Sequence, residues 1–150
     1  MILLRALLCL ILFFLVGIAN AFANLGDNEE QIETLYGKPI GSAEMAWGPS
    51  RVYYSPSYFI GVVFEKGICR AEIFSRRDKQ ALSDLEIAVL LSAYSGWNPN
   101  PKQFDTNLIQ WRGPNDLRAE YNVSAKALLI STQRFFDKRN STPKPRASQN

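Results

Sequence analysis

The sequence predicts an α+β domain: one antiparallel sheet of about six strands, built as two successive helix-plus-three-strand units, with the helices packed on one face. Three observations carry this. A capped helix with a single apolar stripe precedes three short segments rich in β-branched and aromatic residues, separated by turn residues. The same order of elements recurs about 56 residues further on. Each unit also leaves one apolar sheet face to be covered, and an antiparallel sheet with both helices on that face is the simplest way to cover it.

The chain opens on Arg5, an apolar run from Ala6 to Ile18, and the small-residue stretch Ala19 to Ala23. This is the n-region, h-region and A-x-A site of a secretory signal peptide, expected over residues 1–23 with cleavage after Ala23. The run is too short to span a bilayer core of roughly 20 helical residues. Cys9 lacks the small preceding residue of a lipid-modified cysteine, so no stable membrane anchor is expected after cleavage.

Residues 24–139 read as one domain. Asp27 and Glu30 are placed to cap a first helix, Ile32, Leu35 and Tyr36 share a face, and Gly37 and Pro39 end it. A Gly/Pro-marked loop from Lys38 to Ser50 leads to strands at Val52–Tyr54, Tyr58–Glu65 and Ile68–Phe74. With Lys66-Gly67 as a two-residue turn, Phe64 faces Cys69, Val62 faces Ala71 and Ile60 faces Ile73, all six toward the core. Ser83-Asp84-Leu85-Glu86 is a capping box, with Leu82 stapled to Ile87. The second helix then buries Leu85, Ala88, Val89, Leu91 and either Ser92 or Tyr94, and Gly96 ends it. Three more strands follow at Leu108–Arg112, Leu117–Val123 and Ala127–Thr132, then a short helix over Gln133–Arg139. Residues 140–150, with Pro143, Pro145 and no apolar periodicity, read as a disordered basic tail.

Composition excludes more chemistry than it supports. Lys and Arg number 17 against 14 Asp and Glu, too even a balance to point to nucleic acid. The basic excess sits at the end, where Arg134, Lys138, Arg139, Lys144 and Arg146 face Asp137 alone. There is no histidine, which removes the triads built on it and most zinc sites. Cys69 is the one cysteine beyond the leader, so no intrachain disulfide forms, and the hairpin register places its thiol inside. The S-x-x-K match at Ser141–Lys144 lies in the tail, and Gly113-Pro114 is a turn lacking the donors of a phosphate loop. No catalytic, cofactor-binding or metal-binding residue is therefore assigned.

Two candidate chemistries remain on residues. Carboxylates at Glu65, Glu72, Asp84, Glu86, Asp105 and Glu120 are numerous enough for a glycoside-cleaving pair, which requires two acids held across a cleft. Aromatics are abundant, and Trp47 and Trp97, both in loops, are the best placed to offer flat rings to a partner.

The segments Leu25-Gly26-Asp27 with Tyr36-Gly37-Lys38-Pro39, Val63 to Cys69, Ala81 to Ile87, and Leu129-Ile130-Ser131-Thr132 together resemble a group of uncharacterised small exported bacterial proteins. The resemblance runs over most of the chain after the leader and implies a bacterial, extracytoplasmic protein. More loosely, the glycine-led helix ending in G-x-P, Gly26 through Pro39, is similar to SmpA/OmlA-type envelope proteins, accessory components of outer-membrane assembly. The expectation is a periplasmic or secreted, non-catalytic module that binds a protein or cell-wall component through its uncovered sheet face and the Trp47 and Trp97 loops. The rival expectations are a carboxylate-dependent enzyme acting on polysaccharide and a secreted hydrolase inhibitor.

Overall fold

The computed structural model describes residues 25–45, 48–94, 97 and 102–141. Residues 1–24, with the expected leader and cleavage point, Trp47, Gly96 and the segment beyond Ser141 lie outside them. The described chain is α+β, with eight strands in one sheet: α1 (Glu29–Tyr36), β1 (Gly41–Met45), β2 (Gly48–Tyr54), β3 (Tyr58–Glu65), β4 (Ile68–Arg76), α2 (Asp84–Ser92), β5 (Lys102–Asp105), β6 (Leu108–Arg112), β7 (Leu117–Asn122), β8 (Ala127–Thr132) and α3 (Gln133–Ser141).

The strand order is β1-β2-β3-β4-β8-β7-β6-β5, with antiparallel pairing throughout. Two helix-plus-four-strand meanders thus meet at β4 and β8, an order that a two-fold axis normal to the sheet would generate. Each unit has one strand more than the sequence predicts. Both additions, β1 and β5, are outermost strands; β1 is exposed from Gly41 to Glu44 and so carries no buried alternation for a reader of the sequence to find. Gly48, which starts β2, is required there: its φ is 140°, and a Cβ would lie 2.7 Å from the Phe64 carbonyl oxygen.

The caps explain where the helices sit. Asn28 rather than Asp27 caps α1, its Oδ1 accepting from the Gln31 amide while Gln31 Oε1 accepts from the Asn28 amide, both at 2.9 Å. Asp27 is taken by the sheet: its carbonyl accepts from the Cys69 amide at 2.8 Å, and the Gly26 amide donates to the Cys69 carbonyl at 2.9 Å. Gly37, at φ 81°, closes α1. The Ser83/Glu86 box caps α2 as the sequence predicts.

α2 is rotated from the predicted face. It buries Ile87, Leu90 and Leu91, while Leu85 is 74% and Val89 51% exposed. Apolar residues surround this helix, so periodicity does not choose the buried side. Its first turn chooses instead: Glu86 accepts from Arg76 Nη1 at 2.8 Å and from the Tyr58 hydroxyl at 3.2 Å, which ties that side to the sheet.

The helices do not all lie on one face. Ile32 of α1 and the buried residues of α2 join Tyr53, Ile60, Val62, Phe64, Cys69 and Phe74 in the main core. Phe135 of α3 packs instead with Val63, Ala71, Ile73 and Leu129 on the opposite face. The last helix, which runs to Ser141 rather than Arg139, therefore covers part of the face predicted to be open.

The central hairpin turns at Lys66 (φ 54°) and Gly67 (φ 76°), and Phe64 faces Cys69 as predicted. Beyond that pair the register shifts. Val63 faces Ala71, Val62 faces Glu72, Gly61 faces Ile73 and Ile60 faces Phe74, leaving Arg70 as the extra residue of a β-bulge. The shift sends Ala71 and Ile73 out and turns Glu72 inward, because one added residue inverts every side chain that follows it. Cys69 precedes the bulge and remains buried.

Candidate functional site

The bulge builds two features, one inside the core and one on the outer face. Inside, the Glu72 side chain is 0% exposed among apolar neighbours. Tyr36, the last residue of α1, donates from its hydroxyl to Glu72 Oε1 at 3.1 Å, and Tyr94, just past α2, donates to Oε2. The corresponding tyrosines at the ends of the two unit helices thus converge on one carboxylate at the centre of the sheet. Burial pushes the Glu72 carboxyl up to about 7, against the two tyrosine hydrogen bonds that favour its charged form, and Asp27 adds to the upward push. Burial and the Glu72 charge hold Tyr94 well above the usual phenol range. The Cys69 thiol is likewise pushed up, first by burial and then by Glu72 and Asp27, so it stays protonated and unreactive.

The Asp105 side chain lies outside the described residues, and the remaining carboxylates singled out in the sequence are separated from one another. Glu65 accepts from Lys138 at 2.7 Å, Glu86 holds Arg76, and Glu120 pairs with Arg139 at 2.9 Å. Asp84 sits exposed in the first turn of α2. The structure brings none of these side chains together across a cleft with Glu72, which is sealed. Among the described residues, no group of three or more His, Cys, Asp or Glu is placed to hold a metal.

On the outer face, antiparallel register lines residues up in rows across the strands. One row runs Val52, Gly61, Ile73, Leu129, Glu120; the next runs Tyr54, Phe59, Ser75, Ala127, Asn122. Tyr54 is 46% exposed, while Val52, Phe59, Ile73 and Leu129 are half-buried. The Tyr54 and Phe59 rings lie 5.3 Å apart at 36°, and the Arg77 guanidinium sits 4.7 Å above the Tyr54 ring. Gly61 contributes no side chain between Val52 and Ile73, which leaves the strip dented at its middle. Toward α3 the strip deepens into a concavity of about 180 Å³ bounded by Ile73, Leu129, Phe135, Asn122, Glu120 and Arg139. Gln110 and Arg139 both bond Glu120 there, giving an apolar floor one polar wall.

The predicted tryptophan surface is not what the chain presents. Trp97 is 4% exposed and belongs to the main core. Its ring lies against Gly113, where an added Cβ would come within 2.7 Å of three ring carbons. A loop position therefore does not make this indole a surface group: the missing side chain at Gly113 provides its slot. Trp47 lies outside the described residues. Tyr54 and Phe59 lie in segments the sequence predicts as strands, and the pairing of β2 with β3 sets them side by side.

No family model matches the chain, and no curated protein matches it. Among solved structures, the crystal structure of a cysteine-rich secretory protein from Staphylococcus aureus subsp. aureus Mu50 is similar over 84% of this chain and 51% of its own, with a TM-score of 0.46 and 9% identity. The chain thus spans about half the length of that structure.

Proposed function

We propose that the chain is an exported, non-catalytic module that docks a protein partner on the outer face of its sheet. The observation that carries this reading is the half-open apolar strip Val52, Tyr54, Phe59, Ile73 and Leu129, continuous with the concavity beside α3. Contiguous apolar surface with an aromatic centre and a charged rim is the composition of a docking patch. Export is supported by the leader pattern of residues 1–23. The non-catalytic reading draws on the separate partners of Glu65, Glu86 and Glu120 and on the closure of the core around Glu72.

A photo-crosslinking residue at Tyr54, compared with one at Leu85 on α2, tests the location in the native host. A discrete protein adduct at position 54, lost when Phe59→Ser is added, is the expected result. Adducts at position 85 alone would move the partner to α2, and co-sedimentation with isolated peptidoglycan without any protein adduct would replace the protein partner by the cell wall.

A further inference from the structure

β1 and β5, the first strands of their two meanders, are the outermost strands of the sheet, and they are not protected alike. β5 opens on Lys102, follows Pro99 and Pro101, and breaks register between Gln103 and Asp105, three features that stop a sheet from growing. β1 keeps an unbroken register with β2 and contains no proline, lysine or arginine. Gly41 to Glu44 are exposed, and among the described residues no strand pairs with their outer side. Ile40, just ahead of the strand, is 51% exposed.

Hydrogen bonds fix which groups of β1 face outward. The Ala43 carbonyl accepts from the Ser50 hydroxyl at 2.9 Å, and the Val52 carbonyl, opposite Gly41, accepts from the Ile40 amide at 2.8 Å. Gly41 and Ala43 therefore turn their main-chain groups toward β2. In an antiparallel ladder alternate residues bond the neighbouring strand, so the amides and carbonyls of Ser42 and Glu44 point away from the sheet.

These outward groups are self-complementary. A second β1 laid antiparallel about a two-fold axis at Ala43 sets Ser42 against the second copy's Glu44 at both ends. Each such pair exchanges two N–H···O=C bonds, four in all. Ala43 meets its own copy as the closer, non-hydrogen-bonded pair, where a methyl group fits. On the inner side, where Arg51 bonds Glu29 of α1, the row then runs from Arg51 through Ser42 to the second copy's Glu44, about 10 Å from Arg51 across two strand spacings. Glu44 has no ion pair among the described residues, so the pairing brings it toward a cation. Other axes fit less well. One at Glu44 opposes two carboxylates, and one at Ser42 calls on the Ile40 amide, which Val52 already holds.

We propose that β1 pairs antiparallel with β1 of a second copy of this chain, joining two eight-stranded sheets across a two-fold axis at Ala43. The pairing rests on the sheet edge and not on the outer apolar strip, so it neither requires nor is required by the docking reading above. Five residues a side bury little area, and the association is accordingly weak and concentration-dependent.

The test uses the full chain, purified as the cell processes it, in sedimentation velocity from low micromolar to near-millimolar concentration. The expected result is a reversible rise from the mass of one copy to that of two. Ser42→Pro removes an outward amide and leaves the ladder to β2 intact, since an edge strand accommodates proline where its N–H would face solvent. It takes away two of the four interchain bonds and should weaken association about tenfold, equivalent to roughly 1.4 kcal/mol, with the melting of dilute protein unchanged. Single cysteines under mild oxidation by glutathione disulfide read the register. Ala43→Cys should give a disulfide-linked dimer, because the Cβ atoms at the axis are about 5 Å apart. Ser42→Cys and Glu44→Cys should not, because each lies roughly 8 Å from its own copy, and Cys69 is buried and does not compete. The mass of one copy at every concentration would overturn the proposal. So would association undiminished by Ser42→Pro, or equal or absent crosslinking at 42, 43 and 44. In the host, a photo-crosslinking residue at position 42 joined to a different protein and not to a second copy would also overturn it. Phe59→Ser should leave the association unchanged, which separates failure of this edge from failure of the docking face.

Discussion

Replacing Glu72 by Gln should abolish an unusual dependence of stability on pH. Glu72 has a folded pKa of about 7 against an ordinary value of 4.5, so the folded state binds its proton more tightly than the unfolded chain does. A group shifted upward gives its full stabilisation below the unfolded value. It loses that stabilisation as pH rises from 4.5 through 7 and contributes no further change above. At about 1.4 kcal/mol per pKa unit, the loss across this window is about 3 kcal/mol. Gln keeps the shape and has no proton to lose. Its amide oxygen accepts from one tyrosine hydroxyl and its NH2 donates to the oxygen of the other, since a phenol both donates and accepts. Urea denaturation at pH 4.5, 6 and 8 should therefore show the E72Q midpoint gaining on the unmodified protein at each step, with the difference between the two proteins changing by about 3 kcal/mol overall. Glu65 and Glu86, held below their usual range chiefly by hydrogen bonds from Lys138 and from the Ser83 amide, contribute stability above 4.5 that falls away in acid. They are common to both proteins and cancel in the comparison. Parallel stability curves for E72Q and the unmodified chain would refute the placement of Glu72 as a buried, proton-binding carboxyl.

Two further outcomes follow from the same packing. Leu90→Ala should cost about 2 to 5 kcal/mol in urea denaturation, whereas Leu85→Ala, on the exposed side of α2, should change stability by less than about 0.5 kcal/mol; a larger cost for Leu85→Ala than for Leu90→Ala would seat the helix on the face predicted from the sequence. The Cys69 thiol should react with a thiol reagent in the native protein only as fast as the chain unfolds, and become fully reactive in urea; labelling at the rate of free cysteine would place it outside the core.

The helix caps were legible because they depend on residues three apart in sequence, as with Ser83 and Glu86. The α+β class and the six inner strands were legible because their buried faces alternate. The faces themselves were harder to read. The bulge at Arg70 arises where β4 pairs on one side with Gly26 and Asp27, residues more than forty positions away, and nothing in Ile68 to Phe74 itself announces it. For α2, apolar residues on all sides gave periodicity nothing to choose between. Trp97 was misplaced because burial of a loop indole depends on Gly113 across the fold. The burial of Glu72 and the make-up of the outer strip were illegible together, since both follow from the register beyond Cys69.

Their shared origin explains why a polar centre and an apolar surface occur in one small domain. Were Arg70 paired with Val63 in a regular ladder, Ala71 and Ile73 would fill the core, Glu72 would project from the outer face opposite Gly61, and the row through Val52 would be broken by a charge. With the bulge, the outer row gains Ile73 and becomes continuous from Val52 to Leu129, and the core receives a carboxylate that must be satisfied. Two tyrosine hydroxyls satisfy it, and both come from the ends of helices that pack on the inner face. The seating of α1 and α2 and the apolar character of the outer strip are therefore set by one local event in β4. A deletion of Arg70 would test this link at its source: Ala71 then follows Cys69 directly, Val63 still faces Ala71 and Val62 still faces Glu72, so Glu72 should stay inward and the pH dependence of stability should persist, whereas its loss would show that the faces are not set at the bulge.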